Sequence, residues 1–154
     1  MTTLDTFVPI PASIVTVAPS KAARWTGRVL STIVALFLAF DALMKLLQIP
    51  PVMKASIELG YPTRTIFGIG VVLALCLATY IVPRTSILGA VLLTGYLGGA
   101  IATHVRVGDP IWTHTLFPIY VATLLWAGLA LRDARLRALL QAFFARSSST
   151  KDRS

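Results

Sequence analysis

PRTSILGAVLLTGYLGGAIATHVRVGDP, running from Pro83 to Pro110, decides what kind of protein this is. No charge falls between Ile87 and Thr103, a run long enough for a helix to lie within hydrocarbon, and charged loops close both ends. Gly89, Ala90, Gly95, Gly98, Gly99, Ala100 and Ala102 supply the small residues through which membrane helices bring their backbones close. Gly95, Gly99 and Thr103 recur four apart on one face, so this stripe is expected to meet protein and the helix to act as a packing hub. His104 and Arg106 stand at its far end.

Three further stretches are comparably apolar, at about Val29 to Leu47, Ile66 to Val82 and Ile111 to Leu131. In the second of these, Gly70, Ala74 and Ala78 form another small-residue stripe suited to close helix contact. Pro83-Arg84-Thr85-Ser86 is a tight connection, which makes the spans on either side of it antiparallel neighbours. Thr85 or Ser86 is expected to cap the first amides of the helix that follows. Pro50 and Pro51 stop the first span. Residues 52–59 are expected to form short helical turns at the interface, closed by Gly60. Pro118 is expected to kink the last span and to free a carbonyl near His114.

Composition agrees. The 154 residues are 56% hydrophobic with a mean hydropathy of +0.78. Charged residues make up 13%, against about 25% in soluble chains, so the natural solvent is a lipid bilayer. The net charge of +8 does not indicate nucleic acid, because the basic residues flank the spans instead of clustering on a soluble face. One cysteine, Cys76 in mid-span, excludes an internal disulfide and a CxxC redox or zinc site. Residues 1–23 read as a proline-broken, poorly ordered tail. They lack the positive start and uninterrupted apolar core of a signal peptide. The membrane domain covers residues 24–137. Residues 138–154 read as a basic amphipathic helix on the membrane surface that becomes disordered from Ser147. The fold class is all-α, a polytopic bundle of four transmembrane helices.

An even number of spans leaves both termini on one side. That side carries Lys21, Arg24, Arg28, Arg84, Arg132, Arg135, Arg137, Arg146, Lys151 and Arg153, and the other only Lys45, Lys54, Arg64 and Arg106. The positive-inside rule then places both termini in the cytoplasm. Asp41 and Lys45, four apart with the acid first, share a helix face in the favourable orientation for an ion pair. An acid inside a span costs about 2.5 to 3.5 kcal/mol on insertion scales and marks a functional site by default. In this orientation Asp41, Lys45, His104 and His114 converge from three helices in the outer half of the bundle. Two histidines and an acid can bind a metal, pass protons or hydrogen-bond the carbonyls of a quinone. Against a metal, the histidines are not at helical ligand spacing and no second carboxylate is buried with them.

Phe40-Asp41-Ala42-Leu43-Met44-Lys45-Leu46, Leu59-Gly60-Tyr61-Pro62, Pro83-Arg84-Thr85-Ser86 with Leu88-Gly89-Ala90, and Thr94 to Ala100 with Ala102-Thr103-His104 together resemble the DoxX-like family of small bacterial four-helix membrane proteins. The resemblance covers roughly residues 24–137. It implies a multi-pass protein of the bacterial inner membrane and an accessory role in a quinone-linked redox system. In that role Asp41, Lys45, His104 and His114 line a pocket for the quinone headgroup. The chain has no thiol pair, haem-ligand pair or nucleotide loop, so the electrons come from a partner protein. Two other readings stand beside this one. In one the chain is a non-catalytic membrane module whose ion pair locks the bundle of a partner complex. In the other it is a small-solute or proton transporter that encloses its path as a homo-oligomer.

Overall fold

A computed structural model describes residues 20–151. The expected N-terminal tail up to residue 19, and the last three residues, lie outside the described residues. Helix α1 (Lys21–Leu46) begins where Ser20 Oγ accepts a hydrogen bond from Ala23 N at 3.1 Å, so the helix starts ahead of the expected residue 24. Short α2 (Pro50–Glu58) begins on the two prolines, whose missing amides are harmless in a first helical turn. Next come α3 (Thr63–Ile81), α4 (Ser86–Val107), a π-helical turn (Ile111–Thr115), α5 (Phe117–Arg132) and α6 (Ala134–Lys151). Four stretches, Lys21–Leu46, Thr63–Ile81, Ser86–Val107 and Ile111–Arg132, are long and apolar enough to cross a membrane. Helix α6 continues past Ser147, where the sequence predicts disorder to begin.

The four spans form a ring in which α1 packs against α3 and α5, and α4 closes the circle between those two. Each contributes a row to one core: Val34, Leu38 and Ala42 from α1, Leu73, Leu77 and Tyr80 from α3, Ala90, Leu93 and Leu97 from α4, and Val121, Leu125 and Leu129 from α5. The outer faces carry exposed Leu36, Phe40, Leu75, Leu88, Val91 and Leu124. In water this would be an aggregating surface, whereas in a bilayer it meets acyl chains.

Close backbone contact occurs at glycines other than the expected pair. A Cβ added to Gly27 would lie 2.8 Å from Gly128 O, and one added to Gly128 would lie 2.7 Å from Ser31 Oγ, joining α1 to α5. At Gly70 it would lie 2.9 Å from Lys45 Cβ, joining α3 to α1, and at Gly89 it would lie 2.2 Å from Tyr80 N, joining α4 to α3. At Gly95 and Gly99 it would meet nothing within 4 Å. The packing role predicted for Gly95 and Gly99 is therefore wrong. The stripe faces a cavity, and the seams of the ring lie elsewhere.

Two local expectations also change. Thr85 and Ser86 do not cap α4. Thr85 Oγ1 donates back to Thr79 O at 2.8 Å, and Ser86 Oγ to Pro83 O and Asp133 Oδ2, both at 3.2 Å. Pro118 does not kink a continuous helix, because the chain makes a π-helical turn first and Pro118 then sits in the first turn of α5. The wider turn ends with Leu116 N bonded to Ile111 O at 2.9 Å, after which a residue without an amide proton is tolerated.

Candidate functional site

A cavity of about 990 Å³ opens among α1, α3, α4 and the start of α5, with α2 along its rim. Its walls are mainly apolar and include Phe37, Leu38, Ile69, Val72, Leu97 and Val121. Gly68, Gly95 and Gly99 also line it, and their missing side chains leave the space open. Polar groups gather at the end nearest α2: Asp41, Lys45, Ser56, Tyr61, Arg64, Thr103 and His104.

Each polar group is held by a local cause. Lys45 Nζ donates to Asp41 Oδ1 one turn back, with the lysine side chain 15% and the aspartate 32% exposed, so the expected pair forms at the cavity wall. Thr103 Oγ1 donates to Gly99 O at 2.9 Å, which leaves its oxygen to accept from Tyr61 Oη at 2.6 Å. That bond ties the entry to α3 onto the end of α4. Arg106 Nη2 reinforces the same junction by donating to Leu59 O at 2.8 Å beside Gly60, whose φ of 84° suits the residue that ends α2. Gly108, at φ 74°, closes α4 and turns the chain so that Asp109 comes back over the helix end. Asp109 Oδ2 meets His104 Nδ1 at 2.7 Å. A carboxylate only accepts, so Nδ1 carries the proton between them, and in the neutral ring Nε2 is the acceptor.

His114 is placed differently from the prediction. It is exposed, bonds through Nδ1 to Thr113 Oγ1 at 2.8 Å, and does not line the cavity. Its ring centroid is 6.0 Å from that of His104, so the two imidazoles adjoin at the rim. The π-helical turn explains the displacement, because it carries His114 outside the helical register of α5. Among the described residues, no three His, Cys, Asp or Glu side chains gather as metal ligands would.

Residues 29–128 match the sequence profile of the DoxX-like family, and that interval contains every residue lining the cavity. The chain belongs to the DoxX-like family. No curated protein and no solved structure matches it. In this DoxX-like protein, Asp41, Lys45 and His104 come together as residue type and helix position suggest. Tyr61, Thr103, Arg64 and Asp109 do not stand out in the sequence as site residues. Thr103 carries the one available signal, its place on the Gly95 and Gly99 stripe, since a face without side chains that ends in a hydroxyl can border a cavity as readily as a neighbouring helix.

Proposed function

We propose that this DoxX-like protein is an accessory subunit of a quinone-linked redox system in the bacterial inner membrane. It holds the quinone headgroup in the cavity, while a partner protein exchanges the electrons. The observation that carries this reading is the graded cavity, apolar over most of its wall and polar at one end. Its volume lies at the upper end of the roughly 300 to 1,000 Å³ range of small-molecule sites. A flat ring with polar edges and an isoprenoid tail fits that gradient, with the polar edge toward Lys45, Tyr61 and His104 and the tail along Phe37, Val72 and Leu97. When bound, the quinone supplies the redox chemistry. Lys45, steadied by Asp41, presents N–H donors to a carbonyl. His104 Nε2 accepts a proton from a hydroxyl, and Asp109 stabilises the imidazolium that results. The Tyr61 hydroxyl, its proton engaged by Thr103, accepts from a ligand hydroxyl.

The test is purification in mild detergent followed by solvent extraction and mass spectrometry. We expect an isoprenoid quinone enriched over its level in the surrounding membrane lipid, and its loss in Gly99→Leu, which fills the cavity. Equal quinone in wild type and Gly99→Leu, or none in either, overturns the proposal.

A further inference from the structure

At the end of the bundle away from the cavity, α1 begins, α3 turns into α4, and α5 meets α6. Lys21, Arg24, Arg28, Arg84, Arg132, Arg135 and Arg137 stand here, and among the described residues Asp133 is the one acid. Its carboxylate is already filled: Oδ1 accepts from Arg135 N at 2.9 Å and Nε at 3.2 Å, and Oδ2 from Arg135 Nη2 at 2.9 Å and Ser86 Oγ at 3.2 Å. Among the described residues, no other acid stands at this end for the neighbouring guanidinium groups.

Arg132 lies with Cζ 4.9 Å from the centroid of the Tyr80 ring, which is 1% exposed and anchored by its hydroxyl to Ser31 Oγ at 3.1 Å. This cation–π contact holds the guanidinium over the ring. Arg132 Nε and Nη2, and Arg137 Nε on the first turn of α6, are shielded from water and have no hydrogen-bond partner among the described residues. Both residues remain partly exposed. A phosphate reaches the open nitrogens of the same two cations, Arg132 Nη1 and Arg137 Nη1 and Nη2, where it supplies acceptors and the opposite charge together. Trp25 and Val29 near the start of α1, and Leu139 and Leu140 on α6, are exposed at this end of the bundle, which suits the boundary between acyl chain and headgroup.

We infer that Arg132 and Arg137 form a binding site for the phosphate of an anionic phospholipid, which seats the junction of α5 and α6 in the headgroup layer. Gly27 brings the α1 backbone against this junction, with a Cβ there falling 2.8 Å from Arg132 N. Basic clusters between spans bind anionic headgroups in this way.

The experiment reconstitutes the full chain in phosphatidylcholine, with and without phosphatidylglycerol, and reads the melting temperature and the lipid retained in native mass spectrometry. Wild type is expected to melt higher with phosphatidylglycerol and to retain it. Arg132→Gln with Arg137→Gln is expected to bind that lipid at least roughly tenfold more weakly, and its melting temperature in phosphatidylcholine reads separately the loss of the contact with Tyr80. Arg137→Gln alone keeps the stack on Tyr80 and serves where the double variant does not fold, with a weaker loss expected. The control is Lys21→Gln with Arg24→Gln, which removes the same charge from the same rim and is expected to keep the lipid. Equal loss in the control reduces the effect to general surface charge and overturns the site. Retention by both Arg137→Gln and the double variant overturns it as well. So does an equal stabilisation of detergent-solubilised protein by inorganic phosphate, which would make it a site for any anion and not for a lipid.

Discussion

Gly89 and Gly99 belong to the same helix and meet opposite surroundings. A methyl group at Gly89 would sit 2.2 Å from Tyr80 N and 2.4 Å from Tyr80 Cα, contacts that only a backbone shift relieves, whereas at Gly99 it would find open space. Gly89→Ala is therefore expected to destabilise by at least about 1 to 3 kcal/mol, the usual cost of overpacking, and to lower the melting temperature in detergent. Gly99→Leu is expected to leave that temperature unchanged while abolishing ligand capture. A drop for Gly99→Leu as large as that for Gly89→Ala would mean that the cavity does not exist as described. Asp41 and Lys45 differ again, because each holds the other's charge at the cavity wall. Either single change to leucine strands one charge and is expected to cost about 1 to 3 kcal/mol, while the double change is expected to restore stability. If the pair also serves the ligand, the double variant regains its melting temperature and not its cellular activity, in a complementation assay run beside the melting curves.

The turn between α3 and α4 is held both by its own residues and by the junction of α5 and α6. Arg135 donates through Nη1 to Arg84 O at 3.3 Å and through Nη2 to Pro83 O, while Asp133 receives Ser86 Oγ. These bonds make one clamp from two connections far apart in the chain. The Arg135 guanidinium, bonded to Asp133, holds that carboxyl below the ordinary carboxylate range, with burial opposing and the hydrogen bonds prevailing. A carboxyl whose folded pKa is depressed contributes stability that is fully present above its unfolded value, about 3.9, and is lost as pH falls through the folded one. The melting temperature of the wild type is thus expected to fall on acidification through and below about pH 4. In Asp133→Asn the neutral-pH value should already be lower and that part of the acid dependence should flatten. An unchanged acid limb in Asp133→Asn would show that the clamp does not contribute. The sequence assigned Thr85 and Ser86 to a helix cap because such residues usually cap. Thr85 donates instead to carbonyls at the end of the preceding helix, and Ser86 to Pro83 O and to Asp133, whose position follows from tertiary structure and not from local pattern.

At the scale of the whole molecule, the four spans are legible in the sequence because lipid selects unbroken apolar runs, and the turns are legible because proline and glycine interrupt them. The ring order and the cavity are not, because a stripe of small residues reads the same whether a helix or a void lies against it. Asp41 and Lys45 are legible through their spacing and the rarity of charge inside a span. The Tyr61 to Thr103 bond joins the loop before α3 to the end of α4 and has no local signature. Orientation is a further proposal on which the outward placement of the polar end depends, and Cys76 gives it a clean test. Buried in the core, Cys76 should not react with a membrane-impermeant maleimide, so single cysteines can be added without background. The turns at Arg84 and Thr113 lie on opposite faces of the bundle, and both residues are exposed. Most of the basic residues lie on the face of Arg84, and the positive-inside rule assigns that face to the cytoplasm. Thr113→Cys is expected to label in intact cells and Arg84→Cys only after the membrane is permeabilised. A fluorescent protein fused after Ser154 should also fold and fluoresce, as such fusions do in the cytoplasm. Labelling of Arg84→Cys in intact cells, with Thr113→Cys protected, would reverse the orientation and turn the cavity's polar end inward, so that protons leaving His104 would be released to the cytoplasm.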